Sequence, residues 1–376
     1  MFGVIDIGLN TIRLSLYEVE GSVIRPMLNK KRVVGLASYI DDNGILTHKG
    51  IEKAIDTLNE YKEIIERIGL IKLFVFATAS LRNIKNTEEA VKKIQDETKI
   101  NIDLISGEKE AFYDYVGAAY KKDINSGIIL DIGGGSTEIV FIRNKNIERS
   151  VSIPIGSLNM YRKYVKRLVP TQEEGKKIKK DVLGELEKID LKNNDYTEMY
   201  GSGGSVRGTF KLSQDFFELD KDNKEITRKN IKKLIDIFEN KPEIAISEML
   251  EVVPDRIHTI PTGMIILKTI MKFYGCKVVK LSEYGIREGY LIENVINNKD
   301  EHKKDDSSEE DTQVKEKSDT IIVDQNVTKN KENINVKEKR KDSLAVKNDS
   351  IDDSRFRDSV INCETDKAKK VIDKKK

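Results

Sequence analysis

The chain has 376 residues, of which 35% are charged and 38% are hydrophobic, and it contains only two cysteines, three histidines and no tryptophan. Two cysteines exclude a disulfide framework or a cysteine-rich zinc site, and three scattered histidines exclude a histidine-rich metal centre. The formal net charge of +2 provides no overall field that would attract nucleic acid, so we expect no nucleic-acid partner.

The sequence also lacks the features of a membrane or exported protein. No run approaches the ~18 apolar residues that a span requires, and Asp6 lies where a signal peptide would be basic. We therefore expect a cytoplasmic protein without a membrane partner.

From Lys299 onward the chain has 20 Lys and Arg, 20 Asp and Glu and a single aromatic residue. So little apolar surface cannot offset the entropy of ordering, so we predict a disordered charged tail over 298–376, for which the composition identifies no partner.

The first 120 residues alternate between strand and helix patterns. Residues 3–17 contain two β-rich runs joined by a polar turn with Gly8 and Asn10, which is typical of a hairpin. Apolar residues at three- and four-residue spacings predict a helix over 48–69 that ends at Gly69. The segments that follow are a strand over 70–77, a helix over 87–98 and a strand over 100–105. This alternation predicts an α/β domain with a mainly parallel sheet.

The opening strand–turn–strand pattern occurs again 125 residues later. Residues 127–141 align with the N-terminal segment, pairing Asp6 with Asp131, Gly8 with Gly133 and Thr11 with Ser136. The repeat implies two similar halves. A third glycine-rich turn, residues 201–205, opens a helix, and the pattern over 227–296 is mostly helical, with predicted breaks at Pro254 and Pro261.

The repeated turns have the chemistry of a phosphate site. The strand fixes a carboxylate, glycine lets backbone N–H groups converge on an anion, and Ser or Thr adds a donor. Asp131 and Glu138 would then hold a divalent cation, since Mg²⁺ prefers hard oxygen ligands. Plainer roles fit some turns equally well: the turn after Asp6 alone indicates an ordinary hairpin, and Gly203–Gly204 alone fits close helix packing. The three glycines at 133–135 exceed what a hairpin needs and favour a functional role.

Two further polar side chains have plain interpretations from spacing alone. Glu110 lies in the first turn of a predicted helix capped by Ser106, where a carboxylate usually just compensates the helix dipole. Arg82 follows an apolar strand, where α/β folds place ligand-binding residues, although solvated arginines are common in such loops.

Together these segments resemble the exopolyphosphatase/guanosine pentaphosphate phosphatase (Ppx/GppA) family of the actin-like, Hsp70 and sugar kinase superfamily. The matching motifs occur in order along the chain: Asp6–Leu14, Ala77–Asn83, Ile105–Ala111, Asp131–Glu138, Pro154–Gly156, Gly201–Ser205 and Tyr284–Gly289. The resemblance implies an α/β fold with two actin-like (ribonuclease-H-like) domains around a cleft. Domain I would cover 1–123 and domain II 124–297, with the last helix, 283–297, packing back on domain I. The charged tail replaces the C-terminal HD-type domain of longer members, so the chain resembles the short form.

The resemblance also implies a reaction, the release of a terminal phosphate from polyphosphate or pppGpp with Mg²⁺ or Mn²⁺. Glu110 matches the family's catalytic glutamate, which orients or deprotonates the attacking water, and Asp131 and Glu138 would hold the metal. The remaining matched residues would bind phosphate or substrate: Gly8, Asn10, Thr11, Arg13, Arg82, Gly133, Gly134, Gly135, Ser136, Thr137, Gly203, Gly204 and Ser205. A homodimer is a reasonable expectation by resemblance.

Two positions depart from the family pattern. Leu9 stands where the family usually has Ser, which removes one hydroxyl from the first turn, and Lys109 replaces an acid beside Glu110. Two other functions stay open: an ATP-hydrolysing or phosphotransferring relative of the sugar kinases, and a non-catalytic binder of polyphosphate or (p)ppGpp. The Ser-Gly-x-x-Glu-Ala setting of Glu110 favours the hydrolase, because a kinase would need an acceptor pocket that the sequence does not reveal. The sequence does not rank polyphosphate against pppGpp.

Overall fold

The computed structural model describes residues 1–297 except residues 190, 192–195, 197 and 221, so the predicted tail lies outside the described residues. The strands are β1 (Phe2–Ile7), β2 (Thr11–Glu20), β3 (Val23–Val33), β4 (Lys72–Ala77), β5 (Asp103–Leu104), β6 (Gly127–Ile132), β7 (Thr137–Arg143), β8 (Asn146–Ile153), β9 (Met199–Ser202), β10 (Glu225–Thr227) and β11 (Val278–Leu281). The α-helices are α1 (His48–Ile68), α2 (Ala79–Arg82), α3 (Thr87–Thr98), α4 (Gly107–Ala119), α5 (Ser157–Tyr164), α6 (Gln172–Leu186), α7 (Gly203–Phe216), α8 (Arg228–Asn240), α9 (Pro242–Val252), α10 (Ile260–Phe273) and α11 (Ile286–Leu291). Shorter 3₁₀ segments lie at Leu36–Tyr39 and Pro254–Arg256, and a π-helical segment follows α11 at Ile292–Asn297.

The first sheet has the strand order β3-β2-β1-β4-β5. Strands β1, β2 and β3 pair antiparallel, whereas β4 pairs parallel with both β1 and β5. The prediction of a mainly parallel sheet was therefore wrong: the sheet is mixed. Short turns such as the one at residues 8–10 permit only antiparallel neighbours, whereas parallel pairing needs a long crossover, which α1 provides between β3 and β4.

The second sheet repeats this arrangement, in the order β10-β11-β9-β6-β7-β8. Strands β6, β7 and β8 form the antiparallel part, and β9 and β11 continue it in parallel. Strands β6, β7, β8, β9 and β11 thus occupy the places of β1 to β5, and β10 adds one edge strand. The repeat at an offset of 125 residues corresponds to a repeated topology.

Local signals account for several elements closely. Helix α1 begins after Thr47, whose side chain accepts the N–H of Gly50, and it ends at Gly69, which adopts a φ of 71°. The stretch over 227–296 is mostly helical, as predicted: it contains α8 to α11 and one short strand, β11, and α9 ends at Val252, before Pro254. The predicted break at Pro261 was wrong, because Pro261 lies in the first turn of α10, where the missing N–H costs no hydrogen bond.

Each sheet has its own apolar core, and α11 packs on the first sheet. Tyr290 of α11 stacks on Phe76 of β4 with ring centroids 5.0 Å apart and meets Phe74 edge-on at 5.8 Å. The Tyr17 hydroxyl of β2 donates to Oε1 of Glu288 at 2.5 Å. These long-range contacts bring the last described helix to the first sheet. Among the described residues, no helix has the length and apolar character needed to cross a membrane.

Candidate active site

A cavity of about 800 Å³ lies where the turns after β1 and β6 meet. Its size lies within the range of small-molecule sites. The two turns close in the same way: the N–H of Gly8 donates to the carbonyl of Thr11 at 3.0 Å, and the N–H of Gly133 donates to the carbonyl of Ser136 at 3.0 Å. The sequence repeat thus produces two equivalent turns at the wall of one cavity.

The second turn is fixed by the start of α5. The Ser157 hydroxyl donates to the carbonyl of Gly133 at 3.0 Å, and the Asn159 amide donates to the carbonyl of Gly135 at 2.8 Å. Gly156 allows this contact, because a Cβ there would lie 2.3 Å from the carbonyl oxygen of Gly134. The turn is therefore held in place before any ligand binds.

Leu9 connects the two turns. Its Cδ1 lies 2.2 Å from where a Cβ on Gly135 would be, and its Cβ lies 3.5 Å from the corresponding point on Gly134. The departure from serine at this position thus places an apolar side chain against the second turn. Any side chain at Gly135 would displace it.

Four carboxylates converge near the second turn. Asp131 of β6 and Glu138 of β7 are direct cross-strand partners, and Glu110 and Asp114 lie one helical turn apart on α4. Ser202 donates to Oδ2 of Asp131 at 2.9 Å, and Ser152 donates to Oε1 of Glu138 at 2.8 Å. These hydroxyls fix both carboxylates.

Glu110 is 8% exposed and pairs with Arg82, whose Nη1 donates to its Oε2 at 2.9 Å. The same Nη1 donates to the carbonyl of Ile105 at 2.9 Å, which anchors the arginine behind the glutamate. Burial, reinforced by repulsion from Glu138, raises the pKa of Glu110 well above its ordinary value despite this pairing. Glu110 is thus a buried, fixed carboxylate with a high proton affinity.

The pKa values of two other acids, Glu138 and Asp114, are also raised. Burial, reinforced by Asp131, raises the pKa of Glu138 to about 7. The same two causes raise the pKa of Asp114, whose Oδ1 is buried without a hydrogen-bond partner among the described residues. Uncompensated carboxylates of this kind bind either protons or a cation.

The donor chemistry fits a hard divalent cation that is shared with a substrate. Among the described residues, no group of three or more His, Cys, Asp or Glu side chains is arranged to hold a metal ion. Mg²⁺, however, is commonly bound by one or two carboxylates, with substrate phosphates and water completing its coordination. Asp131 and Glu138, fixed as cross-strand neighbours, match that pattern, and the unpaired oxygen of Asp114 adds to the local need for positive charge.

The cavity also has a cationic wall, lined by Arg13, Lys31, Arg207, Lys211, Arg256 and Arg287. Burial, reinforced by Arg287, lowers the pKa of Arg13 to about 10. The guanidinium of Arg256 lies over Gly204, where a Cβ would be 2.2 Å from Cζ. Guanidinium groups bind phosphate oxygens in a bidentate manner, so this wall is chemically suited to a polyanion.

Sequence reasoning missed most of these cations. Arg287 lies inside the matched motif Tyr284–Gly289 and reaches the site because α11 packs on the first sheet. Arg207 lies two residues after the glycine-rich turn at 201–205, so its closeness to that turn in the sequence could have identified it. Arg256 lies in the short 3₁₀ segment after α9 and had no local signal.

Most of the predicted residues line the cavity: Gly8, Asn10, Thr11, Arg13, Glu110, Asp131, Gly133, Gly134, Gly135, Ser136, Gly203 and Gly204. Four of them do not: Arg82, Thr137, Glu138 and Ser205. Arg82 instead bonds to Glu110. The Thr137 hydroxyl donates to the carbonyl of Ile155 at 2.5 Å, and the Ser205 hydroxyl is buried against Gly263.

Comparison with known proteins identifies relatives of the described region. The family model described as "Ppx/GppA phosphatase family" matches residues 16–298. A bifunctional 3-dehydroquinate synthase/phosphatase from Fusobacterium nucleatum is 30% identical over 312 residues, covering 78% of this chain, which spans only 46% of that protein. Exopolyphosphatase 1 of Mycobacterium tuberculosis is 24% identical over 303 residues, covering 77% of this chain and 87% of that protein. A guanosine-5'-triphosphate,3'-diphosphate pyrophosphatase of Aliivibrio fischeri is 25% identical and is covered over 58% of its length.

Solved structures agree with these relatives. The crystal structure of the Ppx/GppA family member from Aquifex aeolicus superposes with a TM-score of 0.66 and 27% identity, covering 79% of this chain and 98% of that one. The match to the family model, the 30% identity and this superposition confirm the predicted resemblance. The chain belongs to the Ppx/GppA phosphatase family.

Proposed function

We propose that the protein is an exopolyphosphatase that releases the terminal orthophosphate of inorganic polyphosphate by attack of water. The observation that carries this proposal is the position of Glu110. It is a buried carboxylate on the wall of a cavity that also presents two phosphate-type turns and a row of cations. Its raised proton affinity suits a group that accepts a proton from water near neutral pH.

The reaction needs positioning more than covalent chemistry. The two turns, with the hydroxyls of Thr11 and Ser136, would grip the terminal phosphoryl group, and Arg13 would neutralise charge along the chain. Water, oriented by Glu110, forms a bond to the terminal phosphorus while the bridging P–O bond breaks. The shortened chain leaves with the bonding electron pair, and the water proton passes to Glu110.

The fixed groups around Glu110 serve this step. Arg82 holds the carboxylate by one bond from behind, so that its other oxygen stays available to water. Asp131 and Glu138 would hold Mg²⁺ or Mn²⁺. When bound, such an ion neutralises charge on the phosphoryl oxygens.

One observation favours polyphosphate over a guanosine polyphosphate. Among the described residues that line the cavity, Tyr284 is the single aromatic, and its ring already packs edge-on against Tyr120 at 5.0 Å. A base would therefore find little stacking surface.

The proposal is tested by phosphate release from long-chain polyphosphate, pppGpp and ATP, measured side by side with Mg²⁺. Glu110→Gln should lower turnover of polyphosphate by ~10²-fold or more while binding changes little. Glu108→Gln is the matched control, because Glu108 lies in the same first turn of α4 but is exposed and does not line the cavity. It should keep full activity.

The competing functions predict different results. Turnover of ATP alone would support the kinase-like relative. Binding of polyphosphate without any release would support a non-catalytic binder. Equal loss of binding and turnover in Glu110→Gln would assign this carboxylate a structural role at the helix start.

A further inference from the structure

A second concave surface of about 860 Å³ lies on the helical side of the second sheet, away from the turns. Its sides are α6 and α8, both packed on α10, which forms the floor. Gly175 of α6 lies beside the floor, where a Cβ would be in ordinary van der Waals contact with Cδ1 of Ile265 at 3.4 Å. We call this surface the α10 groove.

The α10 groove is strongly cationic, although the whole chain has a net charge of only +2. Eight cations line it: Lys176, Lys179, Arg228, Lys229, Lys232, Lys268, Lys272 and Lys277. Among the described residues of the lining, Asp236 and Glu239 are the only acids. The groove therefore has an excess of six positive charges.

Few of these cations are engaged by the protein itself. Lys232 pairs with Asp236 at 2.6 Å, and Arg228 donates to the carbonyls of Met271 and Cys276 at 3.2 and 3.1 Å. The other six lysines form no ion pair within 4.0 Å with any described residue. Unpaired cations on a concave surface indicate a site for an external anion.

Lys268 shows that the lysines converge instead of pointing away from each other. It lies half-buried on the floor of the groove, between the two flanking helices. Burial lowers the pKa of Lys268; the charges of Asp236 and Glu239 oppose this shift, and Lys232 of α8 and Lys179 of α6 add to it. Lysines from all three helices, together with the two acids of the groove, thus lie near one point.

We propose that the α10 groove is a second, non-catalytic binding site for inorganic polyphosphate. Lysines act as point charges and need no planar or directional partner, which suits a flexible chain of phosphates. The described lining contains no aromatic residue on which bases could stack, so a nucleic acid is disfavoured. The predicted tail has equal numbers of acidic and basic residues and offers no net negative charge to the groove.

The groove and the cavity are connected by α10. Thr259 lines the cavity immediately before this helix, and Lys268 lies nine residues further along, roughly 14 Å by the rise of an α-helix. A long substrate chain held in the cavity could therefore be engaged again in the groove. This coupling rests on the proposed exopolyphosphatase activity, whereas binding of polyphosphate to the groove does not.

The test is a triple variant that removes charge without disturbing ion pairs, Lys176→Gln/Lys179→Gln/Lys272→Gln. The matched control is Lys49→Gln/Lys53→Gln/Lys85→Gln, which changes net charge equally at exposed positions outside both concave surfaces. Equilibrium binding of long-chain polyphosphate is measured at several salt concentrations. Hydrolysis is measured with long-chain polyphosphate and with tripolyphosphate, which is too short to reach both sites.

We expect the groove variant to weaken long-chain binding on the order of tenfold and to reduce its salt dependence. The KM for long chains should rise, while tripolyphosphate hydrolysis and the control variant stay unchanged. Unchanged long-chain binding would overturn the proposal. The proposal would also be overturned if a single-stranded oligonucleotide or polyglutamate bound to the groove as tightly as polyphosphate does.

The two proposals fail separately. Groove-dependent binding without phosphate release from any substrate would refute the exopolyphosphatase and leave the groove site standing. Normal hydrolysis with a groove variant that binds like the wild type would refute only the groove site.

Discussion

The two strand–turn–strand units have the same backbone but carry opposite chemistry. In the first unit Asp6 lies across from Arg13, and in the second Asp131 lies across from Glu138, at equivalent positions 125 residues apart. The first pair joins an anion to a cation, whereas the second joins two anions. One frame thus carries a pair of opposite charges in one half and a pair of like charges in the other.

The turns between the strands differ in the same sense. Leu9 of the first turn corresponds to Gly134 of the second, and Leu9 packs against the glycines there. The first turn supplies an apolar side chain, and the second supplies the glycine backbone against which it packs. Of these three compared positions, the aspartate at 6/131 is kept, whereas positions 9/134 and 13/138 have diverged.

The largest expected effect comes from making the second pair less anionic. Glu138→Gln should lower polyphosphate turnover by ~10²-fold, because one of the two carboxylates proposed for the metal is lost. Mn²⁺ should raise the Tm of the wild type by binding the folded state, and this shift should shrink in the variant. Reduced activity with an unchanged Mn²⁺-induced shift in Tm would assign Glu138 a role outside metal binding.

The same pair predicts a pH dependence of stability. The pKa of Glu138 rises from 4.5 to about 7 on folding, so the folded state binds the additional proton. With EDTA present, the free energy of unfolding should fall as the pH rises from about 4.5 to 7, by on the order of 2 kcal/mol. Urea titrations of Glu138→Gln should show a flatter profile over this window. An equally steep profile in the variant would show that other groups cause the slope.

Weakening the first pair should act on substrate binding instead. Arg13→Gln should raise the KM for polyphosphate about tenfold with a smaller change in kcat, since one phosphate contact is lost. The Mn²⁺-induced shift in Tm should be kept. If that shift is lost as well, the two units do not divide their roles as the comparison indicates.

Features that depend on neighbouring residues in the sequence could be predicted from the sequence alone. The two turns and the Asp131–Glu138 pair follow from a local pattern, because a hairpin places its own residues opposite each other. The ends of α1 follow from local periodicity and capping, and those of α3 follow from local periodicity.

Other features depend on contacts distant in the sequence. Arg287 reaches the cavity through the packing of Tyr290 on β4, and Arg256 through a short segment after α9. Thr137 was predicted from its place beside Ser136, but strand alternation turns it toward the carbonyl of Ile155. Local patterns identified the polar turns and Arg13, whereas most of the cationic wall required the tertiary structure.

The smallest expected effect concerns the contact between the two turns. Leu9→Ala should lower the free energy of unfolding by about 1 kcal/mol, because the apolar contact with Gly134 and Gly135 is lost from a half-buried position. The kcat should stay within about twofold, since Leu9 offers no group to the reaction. Leu250→Ala is the control, because Leu250 is 51% exposed and should give no measurable change in urea denaturation. A Leu9→Ala variant as stable as the wild type would show that the bonds from α5 alone hold the second turn in place.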